Sequence, residues 1–412
     1  MENEENKKDE KIEKTAEQAE NKDVNNKKDI DKKEEEKKIE KSKNKEEKDK
    51  NKAEKKKEKA EKKRLKKEEK EKKPKKKRKI FRIILLTLIA ILIFIIAFLF
   101  WYVHDKLNKV QHVDLSGTDL GIAQQTEEQL DEYRNIALFG IDSRQDEYSM
   151  GNRSDCIIIL SINDKTKDAK VFSVYRDTFV NIDGHGLDKI THAYSYGEAP
   201  LAIKTLNKNL DLNIKEFATV NFSSLVKTID KIGGVPIEIT EVERNYINAG
   251  APGLAKLLGK TTPSLEGTGV QRLNGVQAVT FARNRSTEGG DYKRAERMRT
   301  VFVAVIDELK KKNIFELNDI ADEILPLIYT NIPSSEIFDM IPKAATYNIS
   351  ESRGWPYDTK GITLDRWYGV PVTLESNVEK LHKEFFGQTE YVVPDSIKEI
   401  SNSIIQKTGL SQ

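Results

Sequence analysis

The run that constrains this chain most is residues 83–103, IILLTLIAILIFIIAFLFWYV, which carries no charged side chain. At about 1.5 Å per residue, a helix of that length spans roughly 30 Å, the thickness of a bilayer's hydrocarbon core. Trp101 and Tyr102 close it, as interface aromatics do. Directly before it runs KKPKKKRKIFR, a cationic block expected to stay cytoplasmic and to attract anionic headgroups. A cleaved signal peptide would have a shorter apolar run followed by small residues, whereas Phe98 to Val103 is bulky. The sequence thus predicts a retained single-pass anchor in the cell membrane, tail inside and the larger domain outside.

That anchor divides two unlike compositions, which the net charge of +3 over 412 residues conceals. Residues 1–79 are nearly all Lys, Glu, Asp, Asn and Gln, too polar to bury surface against the entropy of ordering the chain. They are expected to be disordered, with helix of the charge-paired kind in AEKKKEKAEKKRLKKEEKEKK. Acidic residues run all through the tail and aromatics are missing, which argues against a nucleic-acid partner. The lone cysteine, Cys156, excludes an internal disulfide and reads as a small hydrophobe in a core strand. A domain outside the cytoplasm meets no ATP or nicotinamide pool, and the sequence shows neither a Walker loop nor GxGxxG.

After a lead-in at 104–132, NIALFGID, CIIILSI and AKVFSV read as three strands. The short turn NDKTKD pairs the second and third antiparallel. If the first pairs antiparallel with the second, Asp142, Asp155 and Arg176 meet on one rim. Two adjacent carboxylates repel unless a cation intervenes. A hard divalent ion such as Mg²⁺ suits them, because it takes one or two carboxylates and completes its shell with water and phosphate. Equally, both aspartates fit as turn residues paired to Arg144 and Arg153.

Next comes a long helix in KITHAYSYGEAPLAIKTLNKNL, where His192 reads as a packed or hydrogen-bonded residue rather than a base. EFATVNF and GGVPIEI read as strands and SSLVKTIDKI as an amphipathic helix; 241–272, rich in Gly, Pro and Thr, reads as an irregular flap. Alternating strands and helices with early hairpins predict an α/β domain on a mixed central sheet, 133–310. Residues 311–412 form an extension packing on it: helix through IFELNDIADEILPLIYTNI, a hairpin in WPYDTKGITLDRWYGVPVTL and a short helix at LHKEFFG.

The chemistry concentrates in FARNRSTEGGDYKRAERMR, residues 281–299, which holds Arg283, Arg285, Arg294, Arg297 and Arg299. Asp291 is placed to cap a helix that buries Met298, Phe302, Val305 and Leu309. One turn back, that stripe ends on Arg294, which therefore faces a cleft. Arg283 and Arg285 leave the preceding helix, LNGVQAVTFA, opposite it. Converging guanidinium groups repel unless an anion sits between them, and phosphate matches their fork.

Seven pieces in order resemble the LytR-CpsA-Psr family of cell-envelope proteins: GIDSR at 140–144, RSD at 153–155, SVYRDT at 173–178, KITHAYSYGE at 189–198, IDKIGGV at 229–235, LNGVQAVTFARNR at 273–285 and GDYKRAERMR at 290–299. The resemblance implies an α/β/α fold with a hydrophobic lipid pocket. It implies a phosphotransferase that moves a glycopolymer, a teichoic acid or capsule chain, from a polyprenyl diphosphate carrier to peptidoglycan. By motif position, Asp142 and Asp155 would hold Mg²⁺ or Mn²⁺. Arg153, Arg176, Arg283, Arg285 and Arg294 would bind the phosphate oxygens, all but Arg153 taking part in catalysis with the two aspartates. Four positions depart from the family pattern: Tyr175 for its Pro, Thr191 for Asn, Glu198 for a second Gly and Met298 for Gln. A lipid-phosphate-binding regulator and a lipid-diphosphate hydrolase are the alternative readings.

Overall fold

The computed structural model describes residues 57, 59–67, 82–97, 110–142 and 151–411. The chain divides into two units, Met1–Phe98 and Leu99–Gln412. In the first, residues 59–67 and 82–97 are helical and exposed. Among the described residues no helix is long and apolar enough to cross a membrane. The expected span runs beyond residue 97, and 98–103 lie outside the described residues, as does most of the expected disordered tail.

The second unit is built on a seven-stranded mixed sheet. Its strands are β1 Gln111–His112, β2 Tyr133–Ile141, β3 Ser154–Asn163, β4 Asp168–Val174, β5 Glu216–Asn221, β6 Tyr329–Thr330 and β7 Asn348–Trp355, in the order β1-β6-β5-β2-β3-β4-β7. β2 pairs antiparallel with β3, and β3 with β4, so the rim expected from the short turns forms. β5 runs parallel to β2, and β7 parallel to β4. Residues 311–412 thus do more than pack on the domain, since β6 and β7 both come from them.

β2 and β3 are apolar on both faces because both are covered. Ala137, Phe139, Ile141, Ile157 and Ile159 pack under helix α1, Ile190–Leu210, with Tyr194, Ile203 and Leu206, and under C-terminal residues such as Trp355 and Phe385. Ile136 and Ile162 face the other way, towards Ile332 and Met340. A second core lies among α2 Phe222–Lys231, α3 Glu241–Leu257, α4 Gly275–Ala282, α5 Gly290–Lys310 and the hairpin Val235–Ile239/Gly269–Leu273.

Helix α3 corrects the expected flap at 241–272. Gly250, Pro252 and Gly253 hide it, but Thr240 and Glu243 form a reciprocal capping box, and Ile247, Ala251 and Ala255 follow at helical spacing into the core. Only the stretch after it, up to Gly269, is a loop. In the expected helical stretch 314–332, helix ends at Ile324, and Tyr329–Thr330 turns into the sheet. The hairpin Thr359–Thr363/Trp367–Pro371 and the turn Leu381–Phe385 fall where expected; a final helix, Asp395–Thr408, was not expected.

Candidate active site

At the carboxyl end of β2 the register slips. Gly140 pairs with Cys156 but Ile141 pairs with Ser154, so Asp155 is stepped over. Such a bulge re-aims a side chain. The Asp155 carboxylate meets Arg176 Nη1 at 2.5 Å, with Arg294 Nη1 at 3.9 Å. Arg294 Nη2 also donates to the Asp155 carbonyl at 3.0 Å. Cys156 lies against Gly140, where a Cβ would stand 2.8 Å from the Cys156 Cβ, so strands this close need a glycine there. Burial pushes the Cys156 thiol up to about 12, leaving it a neutral hydrophobe.

Asp142, one residue beyond β2, is exposed and has Arg283 Nη2 at 3.6 Å. The Arg283 guanidinium also lies 4.8 Å from the Phe222 ring centroid, a cation–π contact. It stands at the C-cap of α4, whose start is fixed by an Asn274–Gln277 capping box. Arg285 reaches Asp291 at 3.4 Å.

Arg294 is 4% exposed, as the end of a buried stripe should be, with its Nε 3.4 Å from Asp291. That stripe runs Met298, Val301 and Val305, with Leu309 partly buried; Phe302 is only half-buried and sits beside it. Asp291 is not the cap expected for α5. Gly289, at φ 90°, takes the cap position, because the Gly-Gly pair supplies the left-handed turn at no steric cost. Asp291 instead lies in the first turn with its carboxylate among the arginines. Burial, then the Asp177 charge, raises its pKa to about 6, against the pull of Arg176 and Arg285.

The five arginines of 281–299 therefore separate. Arg283, Arg285 and Arg294 line one cavity of about 790 Å³ together with Asp142, Arg153, Asp155 and Arg176. Arg297 is a tether, donating to Glu243, the Asn284 carbonyl and the Thr287 hydroxyl. Arg299 donates to Ser173 and Ser352 beneath α5. All the expected site residues converge. Asp155 pairs with Arg176 and Arg294 and Asp142 with Arg283, whereas the turn reading paired Asp142 with Arg144, which lies outside the described residues, and Asp155 with Arg153.

Sequence reasoning missed Asp177 and the role of Asp291. Asp177 binds Lys189 at 2.7 Å and lies 3.6 Å from Arg176 Nε, behind the cleft. Its adjacency to Arg176 in YRDT was the available signal. His192 is a bonded residue as expected, its Nδ1 2.8 Å from Asp188.

The same cavity is also lined by Phe222, Tyr246, Leu254 and Met298 from α2, α3 and α5. Arginines and apolar side chains sharing one cavity can hold the anionic head of an amphiphile by the first and hydrocarbon by the second. The fold and site thus define a mixed α/β domain with an arginine-lined cleft.

Within that class, the chain belongs to the LytR_cpsA_psr family, whose model matches residues 102–369. A polyisoprenyl-teichoic acid–peptidoglycan teichoic acid transferase, TagT of Bacillus subtilis, is 28% identical over 235 residues, 55% of this chain and 70% of that one. The regulatory protein MsrR of Staphylococcus aureus is 32% identical over 207 residues, 50% of this chain and 58% of its own. An Enterococcus faecalis crystal structure, described as a transcriptional regulator, shares the fold at TM-score 0.51 and 22% identity over 68% of this chain and 96% of that one.

Proposed function

We propose that this protein is a membrane-anchored transferase that moves a glycopolymer, such as a teichoic acid or capsule chain, from a polyprenyl diphosphate carrier to peptidoglycan. The observation that carries the reading is the composition of the cleft: five arginines and two aspartates line one cavity with the apolar side chains Phe222, Leu254 and Met298. The transferase name of the Bacillus subtilis relative agrees. The uncharged run at 83–103 would hold the chain in the cell membrane, with its basic flank cytoplasmic and the transferase domain outside a Gram-positive-type envelope's membrane.

Phosphoryl transfer needs positioning and charge neutralisation more than a protein nucleophile. Arg176 and Arg294 come pre-positioned by Asp155, while Arg153, Arg283 and Arg285 stand at the outer edge. A hydroxyl of the acceptor would attack the phosphorus joined to the polymer. The new P–O bond forms as the bond to polyprenyl phosphate breaks, and Asp142 or Asp155 accepts the hydroxyl proton.

The same two aspartates would hold Mg²⁺ or Mn²⁺. Carboxylates from neighbouring strands opening into one cleft fit an ion that otherwise uses water and phosphate ligands. Among the described residues no group of three or more His, Cys, Asp or Glu side chains is arranged to hold a metal. When bound, the ion would supply neutralisation of the diphosphate charge.

Asp155→Ala or Arg283→Ala should abolish transfer in a purified assay with a lipid-linked donor; full turnover in either variant would overturn the reading. Met298, at the cleft wall, favours a second one. An apolar residue in place of the family's Gln would leave a lipid-phosphate-binding regulator, seen as tight binding of polyprenyl phosphate without turnover. Release of free polymer would instead mark a hydrolase.

A further inference from the structure

Beside the cleft, outside its lining, lies a pair of aromatic rings that the transfer chemistry does not use. His185 and Tyr196 stack face to face, centroids 4.2 Å apart and planes 12° from parallel. His185 is exposed and Tyr196 is 38% exposed. The stack is braced: the Tyr196 hydroxyl donates to Asp188 Oδ2 at 2.8 Å, and the same oxygen receives His192 Nδ1 at 2.8 Å.

Its place is fixed relative to the arginines. The first turn of α1 is bonded to both strand ends of the site, Thr191 N–H to the Arg176 carbonyl and Thr191 Oγ1 to the Ser154 carbonyl. One turn on, Gly151 of the cleft lining donates its N–H to the Ser195 carbonyl, next to Tyr196. Arg153, two residues on from Gly151, lines the same cleft.

An exposed aromatic pair beside an arginine-lined cleft is suited to a pyranose. Its C–H face meets the negative face of the aromatic ring, and its hydroxyls accept from the arginines. Bracing by Asp188 lowers the ordering cost of binding. We propose that His185 and Tyr196 form a carbohydrate subsite that seats a sugar ring at the edge of the phosphate cleft. The inference rests on the transferase reading for its source of sugar, which is either the peptidoglycan acceptor or the first sugar of the carried polymer.

The test uses the full-length chain in detergent and a β-1,4-linked N-acetylglucosamine tetramer, with binding followed by saturation-transfer NMR and calorimetry. Tyr196→Ala and His185→Ala should each weaken binding tenfold or more. Tyr196→Phe, which keeps the ring and loses only the Asp188 bond, should stay within threefold. In the transfer assay, a raised KM for peptidoglycan in Tyr196→Ala assigns the subsite to the acceptor, and a raised KM for the lipid-linked donor assigns it to the polymer. No tetramer binding by the wild-type chain, equal binding in Tyr196→Ala, or tighter binding of an oligonucleotide of similar length would each overturn the subsite. Tetramer binding that responds to Tyr196 in a chain without transfer activity would keep the subsite and discard the transferase reading.

Discussion

Arg176 Nη1 lies 2.5 Å from Asp155 Oδ1, and the pairing exists because Asp155 is the residue that the β2–β3 register steps over. An aspartate in regular register would have stood in the ladder; the extra residue turns its carboxylate to the cleft. Asp155 orients Arg176 through its carboxylate and Arg294 through its backbone carbonyl. Asp155→Asn keeps the shape and removes the charge that holds Arg176. Transfer should fall by about 10²- to 10³-fold, the cost typical of losing one pre-positioned stabilising group. A lipid-linked donor assay checks it, with a thermal melt to confirm folding.

Arg283 and Arg297 lie in one sequence stretch and should fail in opposite ways. Arg283 is 42% exposed at the cleft mouth, so Arg283→Ala should change stability by less than about 0.5 kcal/mol while abolishing transfer. Arg297 is 6% exposed and bound to Glu243 at 2.8 Å, and Arg297→Ala leaves that carboxylate buried without its partner. A loss of about 3 kcal/mol is expected in urea unfolding. Burial alone would raise the Glu243 pKa, but the Thr240 amide and Arg297 hold it below the ordinary Glu range. Its contribution is therefore present above about pH 4.3, the unfolded value, and is lost as pH falls through the folded one. The gap between wild type and Arg297→Ala should narrow in acid.

The rim of Asp142, Asp155 and Arg176 was legible because a short turn forces β3 and β4 antiparallel, leaving little freedom for the strand ends. Arg294 was legible from the buried stripe it terminates. The division of the other arginines was not, since Arg297 and Arg299 share α5 with Arg294 and differ from it only in which face of that helix meets Glu243 or Ser173 across the chain. α3 was hidden by Gly250, Pro252 and Gly253, although Thr240 and Glu243 stood at capping-box spacing. β7, with the polar sequence NISESRGW, becomes a strand through its parallel pairing with β4, a contact local pattern cannot report.

Glu198 breaks the helix that carries His192. It stands at φ 55°, ψ −155°, a conformation that glycine adopts freely and other residues occupy at a cost of order 1–3 kcal/mol. The family's usual glycine at this position fits that geometry. Glu198→Gly should therefore stabilise the protein by about 1 kcal/mol and leave transfer unchanged. Calorimetric melts of the two chains would show it, and an unchanged or lower melting temperature would contradict the assignment of strain.

Asp291 offers a pH test of the crowded cleft. Burial and the neighbouring Asp177 raise its pKa from 3.8 to about 6, so the folded state keeps a proton that the unfolded state has released. Where the folded form binds more protons, stability falls as pH rises. The fall should run from about pH 4 to pH 6 and total about 3 kcal/mol, at 1.36 kcal/mol per pKa unit. Asp291→Asn, neutral throughout, should match the wild type near pH 4 and exceed it by that amount near neutrality. Urea unfolding at the two ends of the window measures the difference directly. A variant less stable than wild type near neutrality would mean that the contacts to Arg285 and Arg294, both at 3.4 Å, outweigh the penalty of burying the charge.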